Sequence, residues 1–177
     1  MTLIDVAAAL DHLAVIEDGV DITRVVTCGH SAGGQLAFWA AARGRLPAGS
    51  PGAGGAVSVR GAVSLSGIVD LEEADRLELG AQATARFMGG HWNEQPDRYR
   101  HASPRALLPL GVPQALIHAG NDNIIPPSMS QEYQTLAASH GDNARYLLVD
   151  DIGHRQLIDP KGPGWATAVS ELERIFS

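Results

Sequence analysis

Residues 29–33 read Gly29-His30-Ser31-Ala32-Gly33, a G-x-S-x-G pattern, and they stand between two segments of opposite character. The run Arg24-Val25-Val26-Thr27-Cys28 before them is apolar and β-branched, whereas Ala32 to Arg43 after them is rich in alanine. A strand that passes through a sharp turn into a helix forces the central residue into a strained backbone and lifts its side chain above the sheet. The Ser31 hydroxyl would then stand at the positive end of the following helix dipole. A side chain at either flanking glycine, Gly29 or Gly33, is expected to collide with the turn. This is the chemistry of a nucleophile. The bland alternative is an idle serine in a glycine-rich connection.

A hydroxyl is a poor nucleophile near neutral pH, so a histidine must take its proton. A carboxylate must then hold the tautomer of that histidine and stabilise its cation. In parallel sheets such groups sit on loops past the carboxyl ends of strands. Two loops qualify: Gly120-Asn121-Asp122-Asn123 and Asp150-Asp151-Ile152-Gly153-His154. They nominate Asp122 as acid and His154 as base, in the chain order Ser, Asp, His. The second loop offers only one histidine. Asp70 is the main rival acid, Asp150 and Asp151 are further ones, and Asp122 has the alternative of capping a turn or the next helix. His30 is expected to pack or to line the pocket. His12, His91, His101, His118 and His140 carry no partner logic, and Trp39, Trp92 and Trp165 read as packing residues.

The elements that must position these groups alternate between helix and strand. Leu3, Val6, Ala7, Leu10, Leu13 and Ala14 recur at helical spacing, with Thr2 and Asp5 as a capping pair at the start and Gly19 beyond the end. Strands are predicted over Arg24–Cys28, Gly61–Ser66, Gln114–His118 and Arg145–Val149. Helices are predicted over Ala32–Arg43, Glu72–Phe87, Ser128–His140 and Trp165–Phe176. Leu46–Ala56 reads as a surface loop, and the stretch from Gly89 to Pro109 as irregular chain. Short apolar strands between helices imply an α/β fold with a mainly parallel sheet.

Composition narrows the function classes. The chain has 177 residues, 45% of them hydrophobic, which suits a single domain over residues 1–177 with a real core and no large lid. A net charge of −7 argues against a nucleic-acid or anionic-membrane surface. No apolar run has the length of a membrane span. Asp5 and Asp11 stand where a signal peptide would carry basic residues, so a cytoplasmic protein is expected. The one cysteine, Cys28, excludes an internal disulfide and is expected to pack as a small hydrophobe. No His/Cys cluster has metal-ligand spacing, so neither a metal nor another cofactor is implied.

Taken together, the GHSAGG stretch at residues 29–34, the segment His118-Ala119-Gly120-Asn121-Asp122-Asn123-Ile124-Ile125-Pro126 and the Gly153-His154 pair resemble the α/β-hydrolase family, near its esterase and prolyl-oligopeptidase-like branch. The resemblance implies a serine hydrolase of small carboxylic esters, with short acyl chains, that uses Ser31, Asp122 and His154 and the Ala32 N–H as oxyanion donor. Amidase, peptidase or arylformamidase activity on the same triad is the competing reading. A catalytically weak binding module is another.

Such proteins carry further strands before the nucleophile and a loop that gives a second oxyanion donor. This chain enters one helix and one strand before Ser31, so a truncated α/β-hydrolase is expected. Losing one oxyanion donor typically lowers kcat by about 10²- to 10³-fold. Strands laid side by side in chain order put the right-handed crossover helices on one face and leave the first strand an open edge. A homo-oligomer, most simply a twofold dimer, is the expected remedy.

Overall fold

The computed structural model describes residues 2–16 and 19–177. Its strands are β1 (Val25–His30), β2 (Val59–Leu65), β3 (Gln114–Ala119) and β4 (Ala144–Val149), and they form one four-stranded sheet in chain order. All neighbours are parallel, with His30 opposite Leu65, Leu65 opposite Ile117 and Ile117 opposite Leu147. The carboxyl ends of the four strands therefore come level along one edge of the sheet. β3 is buried at every position and β2 at all but one, as strands covered on both faces must be.

The helices are α1 (Thr2–His12), α2 (Ala32–Ala42), α3 (Leu71–Arg76), α4 (Leu79–Met88), α5 (Pro96–Ala102), α6 (Pro127–Ser139) and α7 (Pro163–Phe176). On one face of the sheet, Phe38 and Ala42 of α2 meet Met129, Tyr133 and Ala137 of α6 over Ala62 and Leu116. Full burial of a side chain such as Phe38 contributes roughly 1.5–3 kcal/mol. On the other face α7 is the one long helix over the sheet, with Ala168, Leu172 and Ile175, together with Ile152 and Leu157 from the segment after β4, against Val63, Leu65, Ala115 and Ile117. This is the one-sided arrangement that right-handed crossovers between strands in chain order produce. α1 packs its Ala7 and Leu10 on Trp39 and on Val57 and Val59. Buried Arg43 clamps that packing, donating to Asp11 and to the carbonyl oxygens of Ala7 and Gly52. The guanidinium holds the Asp11 carboxyl below the usual carboxylate range.

Several local expectations change. The helix predicted over residues 72–87 is two helices, because Glu78 turns left-handed (φ 51°) and Ala81 and Gln82 follow it there. Left-handed backbone costs a non-glycine residue about 1–2 kcal/mol, so hydrophobic spacing could not announce it. The stretch read as irregular contains α5, which Pro96 opens at its first turn. Thr2 is itself the first helical residue of α1 and not a cap before it. Cys28 is exposed and does not pack inside, because α7 leaves the outer part of β1 uncovered. Val15, Ile16, Val20 and Ile22 are exposed as well, in the connection between α1 and β1.

Candidate active site

Every strand delivers one piece of the site at its carboxyl end. β1 runs directly into Ser31, whose backbone sits at φ 57°, ψ −121°. That elbow is pinned from below, since the Ser31 N–H donates to Leu65 O at 2.9 Å and its carbonyl accepts from Gly34 and Ile68 N–H groups. Gly29 is required: a Cβ there would lie 2.0 Å from the Gly33 carbonyl oxygen. Gly33 is not, contrary to the expectation from the motif, because a Cβ there meets nothing within 4 Å. The second constrained position is Gly34, where a Cβ would come within 2.6 Å of Ser64 Oγ and 2.8 Å of Gly67 Cα. Ala32 is the first residue of α2, so its N–H belongs to the group of donors that a helix leaves without internal acceptors.

The loops after β3 and β4 meet. Asn121 N–H donates to Ile152 O and Gly120 N–H to Val149 O. Across that seam His154 Nδ1 donates to Asp122 Oδ2 at 2.7 Å. The other carboxylate oxygen, Oδ1, accepts the N–H groups of Ile124 and Ile125, each at 2.9 Å. Burial pushes the Asp122 carboxyl up, but the hydrogen bonds from Ile125, His154 and Ile124, with the Ser66 hydroxyl nearby, outweigh it and leave the carboxyl below the usual range. Asp122 is thus an anion at neutral pH, and it fixes the tautomer of His154 with the proton on Nδ1. His154 Nε2 is left as the acceptor. Ser31 Oγ and His154 Nε2 share no hydrogen bond in this structure, and the hydroxyl rotor and the imidazole have to close that gap on a bound substrate.

The rival acids have other roles. Asp70 is the N-cap of α3, accepting from Glu72 and Glu73 N–H groups at 3.1 Å, with Arg105 3.5 Å from its second oxygen. Asp151 turns the chain after β4 with φ 59°. Neither these nor Asp150 bonds to His154. A second Asp–His pair exists, Asp75 with His91 at 3.1 Å, but Asp75 also accepts the Trp92 N–H and no serine hydroxyl bonds to the pair.

Around Asp122 and His154 stand two residues to which the sequence assigned no role, Ser66 and His118, and a third, His30, expected only to pack or to line the pocket. Ser66, fully buried with φ 42° just past β2, accepts from Ala119 N–H and stands close enough to Asp122 to help hold its carboxyl down. His118, also fully buried, donates from Nε2 to Ile125 O at 3.0 Å, lies 3.5 Å from Asp122 Oδ2 and accepts the Ser130 hydroxyl at Nδ1. Burial lowers its pKa, so it stays neutral there. His30 lies against His154 itself, ring on ring. The position of Ser66 at a strand end, beside Ser31 and Asp122, is the one signal the sequence offered. Trp39 and Trp165 do pack, Trp39 with its Nε1 donating to His101 O, whereas Trp92 is 40% exposed. Among the described residues no group of three His, Cys, Asp or Glu side chains could hold a metal ion, and no helix is long and apolar enough to cross a membrane.

Comparison with known proteins places this architecture. A truncated carbohydrate esterase from gut microbiota superposes with a TM-score of 0.79 at 20% identity, over 98% of this chain and 68% of that one. Esterase Est2 of Thermogutta terrifontis, with butyrate bound, gives 0.72 at 17% identity over 97% and 63%. The carboxylesterase Cest-2923 of Lactobacillus plantarum gives 0.71 at 18% identity over 97% and 66%. The chain therefore spans about two thirds of the length of these α/β-hydrolase structures. Among curated proteins, none matches the sequence. The model of one family, BD-FAE, matches residues 2–136, a span that includes Ser31 and Asp122 and stops short of His154. With a four-stranded parallel sheet, a serine elbow at the end of its first strand and that match over most of its length, the chain has the α/β-hydrolase fold and belongs to the BD-FAE family.

Proposed function

We propose that the protein is a serine hydrolase that cleaves carboxylic esters with short acyl chains through an acyl-enzyme. The observation that carries this reading is the 2.7 Å bond between His154 Nδ1 and an ionised Asp122, beside a serine elbow at a helix N-terminus. Ser31 Oγ attacks the ester carbonyl carbon while His154 Nε2 takes its proton. The oxyanion accepts from the Ala32 N–H, where the first turn of α2 presents a positive dipole end. Collapse breaks the ester C–O bond, and the leaving alcohol takes the proton from His154. Water then attacks the acyl carbon with His154 again as base, Ser31 recovers its proton and a carboxylic acid leaves. Short acyl groups fit the solved neighbour that carries butyrate.

The test is a fluorophosphonate probe followed by a panel of p-nitrophenyl esters and anilides. Rapid labelling of the wild type and none of Ser31→Ala is expected, with acetate and butyrate esters turned over faster than anilides. Ser31→Ala should lose about 10³-fold or more in kcat. Residual turnover within tenfold of wild type sinks the nucleophile assignment.

The site is proposed to work in a twofold dimer of this chain. What supports it is the outer edge of β1, which pairs with no strand among the described residues, and the groove of about 740 Å³ along it. Val20, Val26 and Phe176 give that groove an apolar lining, and Arg24 stands in it with Asp21 and Glu173. Light scattering checks this: an active monomer at micromolar concentration refutes it.

A further inference from the structure

We propose that His30 is a positioning residue that holds the base His154 in place relative to the nucleophile; the proposal rests on the serine-hydrolase reading above. His154 opens a short 3₁₀ turn, His154–Ile158, behind Gly153, so regular secondary structure secures only the residues that follow it. Its ring is tied at one atom, Nδ1, by Asp122. That bond fixes one atom of the imidazole and does not tie the His154 backbone to the strand that carries the nucleophile.

His30 supplies the missing restraints. Its Nε2 lies 3.0 Å from the His154 carbonyl oxygen. A carbonyl oxygen only accepts, so His30 carries its proton on Nε2 and donates. The two rings also lie 4.4 Å apart, tilted by 47°, so the His30 ring blocks one direction in which the base could swing. Burial, and next the neighbouring His154, hold the His30 pKa below its ordinary value, which keeps the ring neutral beside a base that must become a cation. The donor itself is rigid. His30 is the last residue of β1, in register with Leu65, and it is bonded through one peptide to Ser31. One residue thus ties the nucleophile and the backbone of the base to the same strand end. Displacing a reacting group by about 1 Å lowers rates by as much as about 10²-fold, so such a tie has kinetic weight.

Two variants separate the hydrogen bond from the packing. His30→Phe keeps a ring and removes the donor. His30→Gln loses the ring, and its amide nitrogen reaches the place of Nε2. The low-field proton resonance of the His154–Asp122 bond gives a readout that does not depend on turnover. His30→Phe is expected to lower kcat about tenfold with KM unchanged and to broaden that resonance, while His30→Gln restores both. If His30→Phe keeps kcat and the resonance, or His30→Gln falls as far as His30→Phe, the positioning role is overturned. Circular dichroism identifies a variant that has not folded, and the Gln variant then decides alone: wild-type kcat and resonance support the role, and their loss from folded protein overturns it. If wild type neither labels with fluorophosphonate nor turns over esters, the hydrolase reading is what fails. The resonance then decides for His30 by itself, since broadening in His30→Phe and recovery in His30→Gln support the role and an unchanged signal in all three overturns it.

Discussion

Asp70 and Asp122 begin alike and end differently. Each follows a strand of the same sheet, and each uses Oδ1 to accept the N–H groups two and three residues ahead. Within three residues of either one, a capping aspartate and a candidate catalytic aspartate are the same object. The second oxygen separates them. Asp70 Oδ2 lies 3.5 Å from Arg105, whose side chain is 39% exposed, whereas Asp122 Oδ2 meets buried His154 at 2.7 Å. The local turn aims the carboxylate, and a loop from the far side of the sequence decides what it is for.

The sharpest way to break the comparison is to neutralise each carboxylate in turn. Asp122→Asn keeps Oδ1 for its two N–H donors but turns an amide N–H₂ toward His154 Nδ1. That forces the proton to Nε2, the atom that must accept from Ser31. A loss of kcat of about 10³- to 10⁴-fold is expected. Asp70→Asn should leave kcat within about threefold of wild type, and since asparagine caps as well as aspartate, stability should barely move. Steady-state kinetics and a thermal melt on both variants decide it. A larger kinetic loss at Asp70 than at Asp122 would mean that the acid is misassigned.

Ser66→Ala sharpens the comparison, because the Ser66 hydroxyl helps hold the Asp122 carboxyl down. Removing that hydroxyl takes a polar neighbour from the Asp122 carboxylate and leaves the bond to His154 in place. A fall in kcat of about three- to tenfold is expected, with KM unchanged, as for one hydrogen bond of about 1 kcal/mol. A wild-type kcat would show that Ser66 only closes the end of β2.

The smallest effect concerns acid stability. The Asp122 carboxyl titrates below its ordinary value of 3.8 in the folded protein. Its contribution to stability is therefore complete above the unfolded value and is lost as pH falls through the folded one. Urea unfolding of wild type should weaken from about pH 4 downward, and Asp122→Asn should weaken less steeply over that window. Parallel curves for the two proteins would contradict the direction of the shift.

The elbow around Ser31, the four strands, and the loops bearing Asp122 and His154 were legible in the sequence, whereas the order of the strands entered it only as a condition. These depend on short-range features: apolar runs, helical spacing and glycine at a turn. Even there the reach was limited. Gly29 is constrained as the motif implies, but the other crowded position is Gly34 and not Gly33, because the atoms that crowd it belong to Ser64 and Gly67 on another strand. Cys28 was placed inside by its strand and left outside by the reach of α7. The sequence preferred Asp122 to Asp70 on loop position and chain order, but the 2.7 Å contact that sets the two apart, the buried partners Ser66 and His118, and the contact of His30 with His154 belong to the tertiary structure. The physical reason is separation: His154 and Asp122 are 32 residues apart and His154 and His30 are 124 apart. Periodicity and propensity describe what a residue does with its near neighbours, and only the packed sheet decides which distant loops share an edge.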